Sequence, residues 1–234
     1  MKALIARSRA SGVVQAPGSK SYSIRAAVCA AMADGESVLD SLLEADDTAA
    51  AFECLGSLGA KVSRAADGVH VFGGALRATG SELHCRESAA TLRFLMGLAA
   101  TIPGATTFQC AAPLARRPVM PLVDAVRQLG AACDVDSETG SVTVVGVPAV
   151  NGKVRLRGDV SSQFLSALLL SGPRYGEGLE IELDTPLVSE RYVMMTMECM
   201  RAFGADVRAS ADARSFRVLP GGYSPQRYVV EGDW

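Results

Sequence analysis

Three short polar clusters each stand at the start of an apolar run: Gly18-Ser19-Lys20-Ser21 with Arg25, Glu87-Ser88 with Arg93, and Gly158-Asp159-Val160-Ser161-Ser162-Gln163. Where an apolar helix begins, its first N–H groups are unpaired and the positive end of its dipole is exposed, so the position favours phosphate or carboxylate. Serine hydroxyls can cap such a helix or donate to an anion, and Lys20 and Arg25 add fixed positive charge. Arg116-Arg117-Pro118 and Asp46-Asp47 before Thr48 have the right residue types as well. Each cluster also has a plain structural reading. Ser88, Ser161 and Ser162 can be simple N-caps, the aspartates a helix cap, and the arginines a solvated loop pair at a helix start that tolerates proline. Gly18-Ser19-Lys20-Ser21 lacks the first glycine of GxxxxGK[ST], which speaks against a nucleotide-binding P-loop. What favours function is that the clusters recur at one phase of a repeat.

The repeat positions them. Gly59 in "CLGSLGAKV", Gly130 in "AVRQLGAACDV" and Gly204 in "CMRAFGADV" each close a helical pattern and open a strand, at intervals of roughly 70 residues. One, four and seven places before each glycine stand Leu58, Leu55 and Phe52; Leu129, Val126 and Val123; Phe203, Met200 and Met197. This is one apolar stripe at helical spacing, drawn three times. An earlier helix in each unit (Ala26 to Ala33, Leu92 to Ala100, Phe164 to Leu170) is apolar nearly all round, so it must be buried on every side. Glycine turns at Gly35, Gly104 and Gly178 lead into short β-type runs, and each unit closes with paired strands such as Lys61-Val62-Ser63 and Val69-His70-Val71. The unit reads β-α-β-α-β-β. Three of them, spanning about 12–78, 79–150 and 151–224, give one α/β domain with helices at the centre and half-exposed sheets outside, an inside-out α/β barrel. A string of three separate small units is the competitor, but units of that size could not bury such helices alone.

The composition narrows the partners. Among 234 residues, 23 Lys+Arg face 25 Asp+Glu with no basic run, which argues against nucleic acid and membrane surfaces. The apolar stretches fall short of the roughly 18–20 residues that span a bilayer, and Arg7 and Arg9 interrupt any signal-peptide core. Six cysteines without CxxC spacing and two histidines make a zinc site or a disulfide framework a poor reading, so a reducing cytoplasm is the expected setting.

In order and spacing, "PGSKSYSIR", "LARRPVMPLVDAVRQLGA", "GDVSSQFLSALLL", "PLVSERYV" and "YVVEGDW" resemble the EPSP synthase (3-phosphoshikimate 1-carboxyvinyltransferase) family over the whole chain. The resemblance implies two similar domains of three βαβαββ units with the active site between them. It implies a transferase of the shikimate pathway of aromatic amino-acid synthesis, joining the enolpyruvyl group of phosphoenolpyruvate to shikimate-3-phosphate and releasing phosphate. Neither metal nor any other cofactor is implied. By the same resemblance Lys20 contacts both substrates and is the catalytic candidate, while Ser21 and Arg25 bind shikimate-3-phosphate. Ser161 and Ser162 hold its phosphate, Gln163 touches both ligands, Ser189 adds a phosphate contact, Tyr192 is an aromatic neighbour, and Arg117 grips phosphoenolpyruvate.

The chain departs from the family in two places. Many members resemble "GNAGT" or "GNSGT" where this chain has Arg86-Glu87-Ser88-Ala89-Ala90, which puts a carboxylate and a methyl into the phosphoenolpyruvate pocket and implies a weaker response to glyphosate through Ala89. The second departure is that residues 225–234 are expected to begin a crossover to a second domain, absent here, that holds the family's acidic base, so the chain alone should bind without turnover. Strands are expected at Lys2 to Ala6 and Tyr228 to Val230, left as unpaired edges. The sister transferase acting on UDP-N-acetylglucosamine would show a GAKN-like segment and a reactive loop cysteine, where here Ser19 and Ser21 frame the lysine and Arg116-Arg117 occupy the loop. A non-catalytic anion-binding module is the alternative of another class.

Overall fold

Three helices without a polar face set the architecture. In the computed structural model, which describes residue 9 and residues 11–150 and 152–233, these are α1 (Lys20–Met32), α3 (Ala89–Ala99) and α6 (Ser162–Ser171). Every residue of α1 from Ser23 to Met32 is buried, as is almost all of α3 and α6. The three pack on one another at the centre. Where α3 crosses α6 the backbones nearly touch, because a Cβ on Gly97 would lie 2.5 Å from the Ala167 carbonyl oxygen.

Around this centre lie three four-stranded mixed sheets. The first contains β1 (Glu36–Asp40), β2 (Lys61–Ala65) and β3 (Gly68–Phe72). The second contains β4 (Glu82–Arg86), β5 (Gly104–Cys110), β6 (Ala132–Val135) and β7 (Val142–Gly146) in the order β4-β5-β7-β6. The third contains β8 (Gly152–Leu156), β9 (Leu179–Leu183), β10 (Val207–Ala209) and β11 (Ser215–Val218) in the order β8-β9-β11-β10. Burial alternates along the strands, so one face of each sheet covers the helices and the other meets solvent. A second, amphipathic helix completes each unit: α2 (Asp46–Ser57), α5 (Met120–Gln128, preceded by the single turn α4, Ala112–Ala115) and α7 (Glu190–Ala202). The apolar stripes ahead of Gly59, Gly130 and Gly204 are their core faces, and Phe52, Leu55, Val123, Val126, Met197 and Met200 are all buried.

In the second and third sheets the opening strand, β4 or β8, runs parallel to the next. In the first sheet that place is filled from the far end of the chain by β12 (Arg227–Val229), parallel to β1 with Val38 opposite Arg227 and Asp40 opposite Val229. This corrects the expectation of an unpaired edge at Tyr228 to Val230. Val230 is buried and its N–H donates to the Asp40 carbonyl at 3.0 Å, Tyr228 packs on Phe203, and Ser19 N–H donates to the Glu231 carbonyl at 2.8 Å. Arg227–Val229, within the stretch expected to begin a crossover, thus supply a strand to this domain. The strand expected at Lys2 to Ala6 lies outside the described residues.

An ion cluster ties β12 down. Arg227 reaches Asp67 and Asp40, and Asp67 in turn accepts from His70 Nε2 at 2.9 Å while His70 Nδ1 lies 2.7 Å from Glu36. Hydrogen bonds to Asp67 and Glu36 raise the His70 pKa above its ordinary 6.5, and the His70 bond lowers Asp67 below its ordinary 3.8. The raised imidazole contributes stability that is complete below 6.5 and fades as pH rises through the folded value; the lowered carboxyl contributes above 3.8 and fades in acid. The thermal midpoint should therefore decline as pH rises from about 6 to about 8, and His70→Gln should flatten that decline. An unchanged slope in the variant would assign the effect elsewhere.

Candidate functional site

The N-termini of α1, α3 and α6 converge on one open cavity of about 500 Å³. The structure brings together on its wall all ten positions expected from the sequence: Lys20, Ser21 and Arg25 from α1, Ala89 from α3, Ser161, Ser162 and Gln163 from the start of α6, Ser189 and Tyr192 from the start of α7, and Arg117 from the loop between α4 and α5. Arg116 points elsewhere, and Asp46 and Asp47 occupy the first turn of α2 rather than its cap. Asp47 reaches the cavity, where its carboxylate lies 3.5 Å from Lys20 Nζ.

Arg25 and Arg93 form the floor of the cavity. Arg25 is 2% exposed; it donates to Thr196 Oγ1 at 2.7 Å and to the carbonyls of Ser21 and Tyr192 at 2.8 and 3.2 Å, and it lies over the Phe94 ring at 5.0 Å. Arg93 sits one helix on in the same manner, 4.8 Å over the Phe164 ring, donating to Gln163 Oε1 at 2.6 Å, Ser161 Oγ at 3.3 Å and the Pro118 carbonyl at 2.9 Å. Burial lowers both from 12.5 to about 10, with the charge of Arg117 adding to the effect at Arg93, so both remain cations at neutral pH. The Nε of Arg93 is buried without a partner among the described residues. Arg93 belongs to the α3 polar cluster but is not among the contact residues expected from the sequence; it is the fifth residue of α3, where Arg25 is the sixth of α1.

Four cations, Lys20, Arg25, Arg93 and Arg117, thus face two carboxylates, Asp47 and Glu87, in a cavity onto which three helix N-termini open. Such an arrangement is chemically suited to anions of more than one charge. Ser161 is the N-cap of α6, accepting from Gln163 N–H, and also meets Arg93. The Ser162 hydroxyl makes no hydrogen bond among the described residues and lines the cavity. Ser189, the N-cap position of α7, has left-handed backbone (φ 54°) and no capping bond from its side chain.

The EPSP synthase (3-phosphoshikimate 1-carboxyvinyltransferase) family model matches residues 5–234. The 3-phosphoshikimate 1-carboxyvinyltransferase of Dehalococcoides mccartyi is 40% identical over 238 residues, covering 100% of this chain and 56% of the relative. That of Methanocorpusculum labreanum is 40% identical over 240 residues, with the same coverages. The solved structure of EPSP synthase from Acinetobacter baumannii superposes with a TM-score of 0.82 at 25% identity, covering 95% of this chain and 50% of that one. The chain spans about half the length of the curated relatives it matches.

The two adjacent serines should separate by role. Ser161→Ala should lower stability by about 1 kcal/mol through the lost cap, whereas Ser162→Ala, which removes no hydrogen bond among the described residues, should lower stability by less than about 0.5 kcal/mol. Equal losses in the two variants would contradict this division.

Proposed function

The chain belongs to the EPSP synthase (3-phosphoshikimate 1-carboxyvinyltransferase) family, and on that premise we propose that its cavity is the shikimate-3-phosphate half of the transferase site. The observation that carries the reading is the convergence of three helix N-termini and four cations on one cavity. Ser161, Ser162 and Ser189 take the phosphate of shikimate-3-phosphate, with Ser21 and Arg25 beside it and Tyr192 against the ring. Gln163, already oriented by Arg93, spans both ligands. Arg117 and the first N–H groups of α3 at Ala89 take phosphoenolpyruvate, and Lys20 at the mouth of α1 stands between the two.

In the reaction a hydroxyl of shikimate-3-phosphate adds to phosphoenolpyruvate, and phosphate is then eliminated. These residues hold two phosphates and a carboxylate in place and stabilise the charge that develops when phosphate leaves. Lys20 is the side chain that can serve both steps. The acid–base groups that the family resemblance implies lie in the length of the relatives that this chain does not span. The chain alone therefore binds without turnover, and its partner is the second domain of the family fold. No nucleic acid, membrane or cofactor enters this reading, and no helix among the described residues is long and apolar enough to cross a membrane.

Calorimetric titration with shikimate-3-phosphate should give saturable heat. Ser162→Ala should weaken that binding by roughly 1.5–3 kcal/mol, the worth of a hydrogen bond to a charged group. Absence of saturable binding would overturn the reading of the site, and steady phosphate release by the chain alone would overturn the claim that it lacks turnover.

The Ala89 methyl, 4% exposed on the cavity wall, narrows the phosphoenolpyruvate side. Glyphosate is larger than phosphoenolpyruvate and should lose more, since overpacking by one such group costs roughly 1–3 kcal/mol. In the complete enzyme Ala89→Gly should increase sensitivity to glyphosate, and an unchanged inhibition constant would point to Glu87 instead.

A further inference from the structure

We propose that Arg86 is the positioning residue for the α3 end of the cavity, fixing the loop that delivers Glu87, Ser88 and the first N–H groups of α3; the consequence for ligand binding rests on the anion-site reading given above. Residues Cys85 to Ser88 form a tight turn closed by Ser88 N–H donating to the Cys85 carbonyl at 2.9 Å. Arg86 is the second residue of that turn and its φ is 53°. A turn with left-handed backbone at its second position ordinarily takes glycine there, and an arginine in this conformation persists only where its surroundings over-determine it.

The surroundings do so through α2. The Arg86 guanidinium donates to Asp46 in the first turn of α2 and to both carboxylate oxygens of Glu53 two turns further along the same face, at 2.6 and 2.7 Å. The neighbouring Cys54 thiol donates to the His84 carbonyl at 3.6 Å, and Thr91 Oγ1, in the first turn of α3, donates to the Asp47 carbonyl at 3.3 Å. On the other side, Ala111 N–H donates to the Arg86 carbonyl at 2.8 Å. The turn is thus stitched between α2 and the strand end of β5. Because α2 also carries Asp47, which pairs with Lys20, the clamp links the mouth of α1 to the mouth of α3. A glycine would satisfy the backbone with no tether; Arg86 accepts the strained backbone and gains a fixed link to α2. Both ion pairs lie at the surface, with the Asp46 and Glu53 side chains 68% and 60% exposed, so the clamp works through its geometry, two partners two turns apart on one helix, more than through charge alone.

The test compares Arg86→Gly and Arg86→Lys with the unsubstituted chain in two measurements. Amide hydrogen exchange over residues 87–91 reads the turn itself. Titration with shikimate-3-phosphate, then with inorganic phosphate at saturating shikimate-3-phosphate, reads the two halves of the cavity. Arg86→Gly should speed exchange in that segment and weaken phosphate by about tenfold while shikimate-3-phosphate changes by less than about twofold, since displacement of a contact by about 1 Å is enough for losses of this size. Arg86→Lys, which keeps the charge, should recover most of the phosphate affinity. Exchange unchanged in Arg86→Gly would overturn the proposal, as would equal loss of both ligands with a lowered thermal midpoint, the mark of a merely structural role. If the unsubstituted chain took up neither ligand, the functional reading would fail, while the exchange comparison would still decide whether Arg86 holds the turn.

Discussion

Everything in this domain follows from three helices that have no face fit for water. Apolar all round, α1, α3 and α6 can be buried only against one another with sheets outside. Burial then leaves both sets of helix ends to be dealt with. At the C-terminal ends the segments that follow β3, β7 and β11 supply donors: Gly74 N–H to the Ala31 carbonyl, Val147 N–H to the Ala100 carbonyl, and the Tyr223 hydroxyl to the Leu170 carbonyl. At the other end the unpaired N–H groups gather around one opening. The anion site is in this sense the place where the packing scheme leaves its donors.

The arginines on the floor of that opening are held so that their charge survives. Arg25 and Arg93 are met by hydroxyl, amide and carbonyl oxygens and by an aromatic face, with no carboxylate among their hydrogen-bond partners in the described residues. Neutral partners satisfy the N–H groups and fix the planes of the guanidinium groups without cancelling the positive charge. The carboxylate of Asp47 pairs instead with the more exposed Lys20. Like charges then face one another across the floor, as the effect of Arg117 on Arg93 registers, and an incoming anion relieves that repulsion.

Much of this was legible in the sequence because it is local. A helix closed by Gly59, Gly130 or Gly204 declares itself within ten residues, and so does the apolar run after each polar cluster. What was not legible depends on distance or on backbone conformation. β12 is three residues long and its partner β1 lies at the opposite end of the chain, so no pattern around Tyr228 names it. Asp47 looked like a helix cap because the pairing that draws it to the cavity is with Lys20 on another helix. Arg93 repeats the role of Arg25, but a lone arginine in an apolar helix gives no sign of whether it faces its own sheet or the mouth.

The left-handed residues were least legible, since neither is glycine. Of the four described non-glycine residues with positive φ, Ser189 lines the cavity as the N-cap of α7, and Arg86 lies three residues ahead of α3 in the turn that leads to it. Such a conformation costs on the order of 1 kcal/mol or more, and glycine would avoid it. At Ser189 the backbone is held by Tyr192 N–H donating to the Ser189 carbonyl and by Val188 N–H donating to the Gly158 carbonyl, both at 3.0 Å, and among the described residues its hydroxyl makes no capping bond. At Arg86 the side chain itself is the restraint. In both cases the chain turns sharply to bring a helix N-terminus onto the opening, and the side chain that glycine would lack is the one that touches the cavity or ties the turn in place. Strain is kept where the direction of the helix and the identity of the side chain are both required.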